Sequence, residues 1–231
     1  MKSTGIVFKS RKYRTAVAPP AVILEDESRW GNDGAFLGPG EPDWVQLPSG
    51  LWVKSFDGTN DYIDFGNPLF TRNQKGAFSV WFNTNSEDQQ TLFAFTKPAT
   101  GPTDEFRFEL LASQRVNFIL YQGAVTGEGY TAVASFILGN WYQTVLTSDG
   151  TTTTIYLNGG APALTKTGVD GLWLGDASIE ADTLSLGINR RLANFLAPYS
   201  GLMSSPKFYE YALTPAERDT HYQAERRYFG V

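Results

Sequence analysis

The sequence contains no cysteine, a single histidine and no long run of apolar residues. The lack of cysteine excludes disulfide bonds, thiolate metal sites and cysteine nucleophiles. The one histidine, His221, cannot form a zinc cluster, and its neighbours Thr220 and Tyr222 give it no serine-triad pattern. No apolar stretch reaches the roughly 18 residues that a transmembrane helix requires. We therefore expect no catalytic residue of these types, no metal, no cofactor and no membrane span.

The composition instead favours packed β-sheets. The chain has 231 residues, of which 42% are hydrophobic and 14% aromatic, enough to form one large core. Its 23 glycines and 12 prolines are spread along the whole length, as expected for many short strands joined by turns. These features indicate an all-β protein.

The first twenty residues differ in charge from the remainder. They contain five basic residues and no acidic one, although the chain as a whole has a formal net charge of −5. The basic residues are Lys2, Lys9, Arg11, Lys12 and Arg14. We interpret residues 1–20 as an arm that binds a partner and residues 21–231 as one domain, with Pro19-Pro20 between them. A frayed tail is the alternative, and Lys9 interrupts the apolar stretch that a secretory signal would need.

Local patterns locate several strands and one helix. Asp57-Gly58 and Asp149-Gly150 each separate two apolar runs, which predicts two β-hairpins. The nearly continuous apolar run over 78–82 suits a strand buried on both faces. Thr214-Pro215-Ala216-Glu217 is a capping box with proline at the first helical position, and it predicts a helix ending near Arg227.

Five segments, in order and at suitable spacing, resemble the motifs of laminin G-like and pentraxin-like jelly-roll domains. They are Asp26–Ala35, Phe56–Ile63, Phe78–Phe82, Trp141–Gly159 and Tyr211–Glu217. The resemblance runs from about residue 24 to 228. It implies an all-β, concanavalin A-like (laminin G-like) jelly-roll sandwich of two antiparallel sheets with one short C-terminal helix. Members of this superfamily bind glycans, bind proteins or serve as structural units, so the fold alone names no ligand.

The alternation of Glu105, Arg107 and Glu109 places three charged side chains on one face of a strand. Paired carboxylates of this kind occur in glycoside hydrolases. An arginine between them stabilises both charged forms, whereas a general acid must hold a proton. We therefore interpret this face as solvent-exposed and charged, and we expect no enzyme activity.

The resemblance raises the question of calcium, because pentraxin-like relatives bind it through acidic residues from two neighbouring loops. Asp104 and Glu105 occupy the first of these positions. At the second, the sequence has Asn189-Arg190-Arg191, whose charge would repel a divalent cation. The sequence therefore predicts no calcium site.

Aromatic residues in apparent loops could stack on sugars. Trp173, Tyr199 and Tyr130, with Asp104 as a nearby polar group, are the candidate glycan-binding residues. The alternative is that each aromatic side chain caps an open edge of the sandwich core. Nucleic-acid binding by the acidic body of the chain is not expected.

Taken together, the residues and the resemblance lead to a hypothesis of a non-enzymatic virion structural protein. Laminin G-like domains occur in tailed bacteriophages as capsid decorations or tail-fibre components. The arm would attach the domain to other virion proteins within an oligomeric assembly, and the domain would face outward, where it could meet cell-surface glycans. The alternatives are a carbohydrate-binding, lectin-like module, which could be extracellular, and a glycoside hydrolase.

Overall fold

The computed structural model describes residues 23–26, 31–37, 41–98, 104–177, 181–191 and 194–231. The five basic residues of the predicted arm, Lys2, Lys9, Arg11, Lys12 and Arg14, lie outside the described residues. The boundary between residues 20 and 21 therefore stays a prediction.

Two antiparallel sheets form the body of the protein. The larger sheet has nine strands in the spatial order β1-β2-β5-β14-β7-β8-β9-β10-β13. These are β1 (Ile23–Leu24), β2 (Gly34–Leu37), β5 (Tyr62–Asp64), β7 (Gln90–Thr96), β8 (Asp104–Leu111), β9 (Arg115–Gln122), β10 (Val125–Thr131), β13 (Leu164–Gly168) and β14 (Thr183–Leu186). All of its pairings are antiparallel, as the resemblance predicted.

The smaller sheet has six strands in the order β12-β11-β6-β17-β4-β3. These are β3 (Asp43–Gln46), β4 (Trp52–Asp57), β6 (Gly76–Thr84), β11 (Tyr142–Ser148), β12 (Thr153–Leu157) and β17 (Ser200–Tyr209). A separate hairpin is formed by β15 (Asn189–Arg191) and β16 (Asn194–Leu196). Helix α1 (Pro215–Glu225) closes the chain, and short 3-10 turns lie at Leu69–Arg72, Leu174–Asp176 and Arg226–Tyr228.

The main core lies between the two sheets and is dominated by phenylalanine. Phe78 of β6 packs against Phe93 of β7 and Phe208 of β17, with ring centroids 4.7 and 4.5 Å apart. The alternating Phe106 and Phe108 of β8 also point into this core and are fully buried. The prediction that the apolar residues of this alternating strand point into the core is therefore confirmed.

The predicted hairpin at Asp57-Gly58 is wrong. Its two strands both exist, but β4 belongs to the six-stranded sheet and β5 to the nine-stranded sheet. The turn chemistry is nevertheless present, since Gly58 has a φ of +76° and Asp57 Oδ1 accepts hydrogen bonds from the amides of Thr59 and Asn60. A tight aspartate turn thus carries the chain across the sandwich, because turn chemistry alone does not fix which sheet receives the next strand.

The hairpin at Asp149-Gly150 and the C-terminal helix are both confirmed. Strands β11 and β12 pair with Ser148 opposite Thr153. In α1, the amide of Glu217 donates to Thr214 Oγ1, and Glu217 Oε2 accepts from the amide of Thr214. The α-helix ends at Glu225, and a 3-10 turn extends it to Tyr228.

Candidate functional site

The outer face of the nine-stranded sheet, opposite the core, carries a cluster of charged side chains. Because side chains alternate along a strand, the burial of Phe106 and Phe108 turns Glu105, Arg107 and Glu109 to this outer face. Arg107 Nε lies 3.3 Å from Glu105 Oε1, and Arg107 Nη1 lies 3.4 Å from Glu109 Oε2. One arginine therefore joins two carboxylates along the strand.

The expectation that this face is solvent-exposed is wrong for the two glutamates. Glu105 is 3% exposed and Glu109 is 2% exposed. Side-chain amides cover Glu109, since Asn117 Nδ2 donates to its Oε1 at 2.9 Å and Gln89 Nε2 donates to its Oε2 at 2.8 Å. Buried carboxylates need such donors, because water no longer solvates them.

Glu105 is covered by the hairpin β15–β16, which lies across the sheet. Asn189 Nδ2 donates to Glu105 Oε2 at 3.2 Å, and Arg191 Nη1 lies 3.8 Å from Glu105 Oε1. The hairpin is attached at two further points. Arg190 pairs with Asp64 of β5, and the Arg190 carbonyl accepts a hydrogen bond from Thr96 Oγ1 of β7. The resemblance had placed residues 189–191 beside residue 105, and the structure brings them together.

A fourth arginine lies on the same outer face, stacked on an aromatic ring. The guanidinium carbon of Arg115 lies 5.1 Å from the ring centroid of Tyr130. Tyr130 is half-buried and faces outward, because Gly129 before it faces Phe118 of the core. Tyr130 is opposite Asn117 in the β9–β10 pairing, so this predicted glycan-binding residue stands beside the charged cluster.

The other three candidate glycan-binding residues do not share this surface. Trp173 is 1% exposed and Tyr199 is 0% exposed, so both are part of the main core and neither can stack on a sugar at the surface. The Tyr199 hydroxyl lies 3.0 Å from the carbonyl oxygen of Asn83, and burial raises the pKa of this tyrosine. Asp104 is half-buried at the start of β8, where alternation directs it away from the face of Glu105.

Several polar atoms of this cluster are buried without a hydrogen-bond partner. They are Arg107 Nε, Arg115 Nε, Asn117 Oδ1 and Asn189 Oδ1. Such atoms are uncommon in protein interiors, where nearly all buried polar groups have a hydrogen-bond partner. Within the described residues, no group of three or more histidine, aspartate or glutamate side chains converges as a metal site would require. The cluster is therefore a set of arginines oriented by buried carboxylates and amides.

Sequence reasoning recognised part of this site. The alternating charges identified Glu105, Arg107 and Glu109, but they did not indicate the roles of Arg191, Asn189 and Arg115. From the sequence, the Asn189-Arg190-Arg191 segment indicates only a barrier to calcium. Its basic charge opposite an acidic strand was the available signal that it pairs with Glu105.

A family model described as the concanavalin A-like lectin/glucanases superfamily matches residues 57–217. The chain belongs to this superfamily. Among curated proteins, no sequence match was found. As a concanavalin A-like domain, the chain shares its fold with proteins of low sequence identity. In the part of the chain that the structure describes, no helix is long and apolar enough to span a membrane.

Three solved structures illustrate the likeness to carbohydrate-binding and receptor-binding domains. A Ruminococcus gnavus sialidase CBM40 bound to α2,3-sialyllactose is 16% identical, with a TM-score of 0.61, over 73% of this chain and 95% of that chain. Domain 4 of a Geobacillus stearothermophilus arabinanase, in complex with arabinotriose, is 17% identical, with a TM-score of 0.63, over 85% and 91%. The receptor-binding domain of a botulinum neurotoxin C/D mosaic is 13% identical, with a TM-score of 0.66, over 99% and 54%.

Proposed function

We propose that this chain is a non-catalytic, lectin-like module that binds glycans carrying a carboxylate, on the outer face of its nine-stranded sheet. One observation carries the proposal. The guanidinium groups of Arg107 and Arg191 both lie against the buried Glu105, yet their side chains remain 17% and 30% exposed. Both arginines are thus held in place from below while part of each stays accessible.

The chemistry of these arginines suits a sugar acid. A guanidinium group is planar and can bind a carboxylate through two parallel hydrogen bonds. The carboxylate of Glu105 restricts both arginine side chains, and that of Glu109 restricts Arg107, before any ligand arrives, which lowers the entropic cost of binding. The half-buried ring of Tyr130 adds an aromatic surface on the same face.

The structural neighbours support a carbohydrate ligand. Sialyllactose, present in the CBM40 structure, carries a carboxylate, whereas the arabinotriose of the arabinanase domain is neutral. Two partly exposed arginines on the face described here favour the acidic ligand over the neutral one.

Calorimetric titration with 3′-sialyllactose, using lactose as the matched neutral sugar, tests this proposal. We expect saturable binding of sialyllactose and none of lactose. Arg191→Gln should weaken binding about tenfold, because one charged hydrogen-bonding group is lost. Arg72→Gln, the same change at an exposed arginine of a 3-10 turn, is the control and should have no effect. Equal binding of both sugars, or full affinity in Arg191→Gln, would contradict the proposal.

The absence of catalysis is part of the same proposal. Glu105 and Glu109 are the carboxylates that a glycoside hydrolase would use, and each is buried against Arg107. We expect no hydrolysis of sialyllactose or of laminarin by the purified chain. Turnover that disappears in Glu105→Gln would instead establish the hydrolase alternative.

The virion-structural hypothesis stays a prediction, because it depends on residues 1–20, outside the described residues. It is compatible with a glycan-binding module, which could face outward from a virion. Analytical ultracentrifugation of the full chain and of residues 21–231 tests it. Assembly or co-sedimentation with virus-sized particles by the full chain alone would support an anchoring arm, and identical behaviour of both forms would contradict one.

A further inference from the structure

A cleft lies on the six-stranded sheet and shares no residue with the arginine cluster described above. It has a volume of about 210 Å³ and opens between the hairpin β11–β12 and the beginning of α1. It is lined on the hairpin side by Thr147, Asp149, Thr152, Thr154 and Tyr156, and on the helix side by Ala212, Leu213, Pro215 and Arg218.

Arg218 is the unusual residue of this cleft. It is 7% exposed, and its guanidinium carbon lies 3.4 Å from the ring centroid of Tyr156. Arg107, Arg190 and Arg191 each pair with a carboxylate, but Arg218 has no such partner within the described residues. Its Nε is also buried without a hydrogen-bond acceptor. A buried charge is usually paired, so this arginine retains an unused capacity to bind an anion.

The nearby carboxylates are engaged elsewhere. Glu217 precedes Arg218 in the helix, but its Oε2 accepts hydrogen bonds from the amide and the hydroxyl of Thr214 in the capping box. Asp149 lines the cleft, but its Oδ1 accepts from the amides of Thr151 and Thr152 and so closes the β11–β12 turn. The local fold therefore holds both acids in roles that leave Arg218 unpaired.

The remaining walls offer hydrogen-bonding groups and an apolar side. Thr152 and Thr154 present hydroxyl groups from the hairpin, and Leu213 and Pro215 present an apolar surface from the chain entering the helix. Sugar rings combine hydroxyl groups with an apolar face, and such mixed walls suit them. The volume is smaller than the roughly 300–1,000 Å³ of sites for drug-sized ligands, so the cleft has room for a single terminal sugar ring.

We propose that this cleft is a second ligand site, which binds one acidic sugar residue by pairing its carboxylate with Arg218. The site is independent of the function proposed for the nine-stranded sheet, because it shares no residue with that face. The ligand carboxylate supplies the partner that Arg218 lacks, and the threonine hydroxyls and Asp149 receive the hydroxyl groups of the ring.

Titration of the full chain with galacturonate, followed by ¹H–¹⁵N NMR, tests this site. Galactose, which lacks the carboxylate, is the matched neutral ligand, and ionic strength is held constant with sodium chloride. We expect saturable shifts of the Arg218 Nε–Hε signal and of the Thr152 and Thr154 amides with galacturonate only. Arg218→Gln should weaken this binding about tenfold or more, because a charge-assisted pair is lost.

Further variants separate this site from the first. Arg191→Gln and Arg72→Gln should leave the shifts around Arg218 unchanged. Arg218→Lys keeps the charge but loses the planar fork, and it should bind galacturonate more weakly than the original chain. The proposal is overturned if galactose gives the same shifts, if Arg218→Gln or Arg218→Lys binds with full affinity, or if only Arg191→Gln removes binding. The last result would assign the ligand to the nine-stranded sheet.

Discussion

Arg107 Nε lies 3.3 Å from Glu105 Oε1, yet it makes no hydrogen bond within the described residues. The two side chains are therefore held together by charge rather than by directional bonding. Glu105 is buried beneath the β15–β16 hairpin and Arg107 is partly exposed, so the attraction between their charges is screened much less than in water. The stability of the charged cluster consequently depends on both signs of charge being present.

The first prediction concerns the loss of that arginine. Arg107→Met leaves Glu105 and Glu109 buried without their shared cation, and we expect the free energy of unfolding to fall by about 3–5 kcal/mol. Urea denaturation at neutral pH measures this change. Arg72→Met, at an exposed position, should change stability by no more than about 0.5 kcal/mol. Similar stability for the two variants would show that the cluster is solvated rather than buried.

The second prediction concerns Lys54, a buried lysine at an edge of the sandwich. It is 3% exposed, its Nζ lies 3.5 Å from the ring centroid of Phe36 and 4.2 Å from that of Trp44, and it donates to the Pro42 carbonyl. Burial lowers the pKa of Lys54 to about 7. The charged form is therefore disfavoured in the fold, despite its contacts with the two rings.

The sign of the resulting pH effect follows from proton counts. Between pH 7 and the unfolded pKa of about 10.4, the unfolded chain binds more protons at this lysine than the folded chain. This group therefore makes stability rise with pH above 7, by roughly 1 kcal/mol or more per pH unit. Lys54→Met should be more stable than the original chain at pH 7, and the difference should shrink by pH 9. Lys75→Met, at an exposed site, should show no such pH dependence. If the stability difference between Lys54→Met and the original chain were the same at pH 7 and pH 9, the lowered pKa of Lys54 would be refuted.

The third prediction concerns the contact between the helix and the six-stranded sheet. Trp81 is fully buried and its Nε1 donates to Glu225 Oε2 at 2.7 Å, while Lys207 Nζ pairs with the same carboxylate. Glu225→Ala leaves the indole donor and Lys207 both without a partner, and we expect a loss of about 2–4 kcal/mol in thermal or urea unfolding. Glu225→Gln keeps an acceptor for Trp81 and should lose less. If it were as damaging as Glu225→Ala, the ion pair with Lys207 would be the main contribution.

The sequence predicted the architecture well but did not predict its connections. The nearly continuous apolar strand around Phe78, the alternation around Phe106 and the capping box at Thr214 each depend on local spacing, and local spacing is visible in a sequence. The Asp57-Gly58 turn shows the limit. Its chemistry was recognised, but the choice between pairing within a sheet and crossing to the other sheet is made by long-range packing.

The candidate site was harder to predict because burial is a tertiary property. Glu105 and Glu109 have the spacing of exposed residues, but the hairpin carrying Arg191 covers Glu105 and the side-chain amides of Gln89 and Asn117 cover Glu109. Trp173 and Tyr199 have the sequence surroundings of loop residues, yet both are part of the core. For Arg218, the sequence predicts a position in the helix. It does not show that the ring of Tyr156, from strand β12, lies against the guanidinium group.

The last prediction concerns the capping box that begins α1. Thr214 Oγ1 accepts from the amide of Glu217, and Thr214→Ala removes this acceptor while keeping the backbone. We expect a loss of about 1 kcal/mol in the free energy of unfolding, and Thr214→Ser, which keeps a hydroxyl, should recover most of it. Hydrogen exchange of the first-turn amides gives a local measurement, with faster exchange in Thr214→Ala only. Equal exchange in both variants would mean that the packing of Leu213 and Tyr222, rather than the cap, fixes the helix start and with it the position of Arg218.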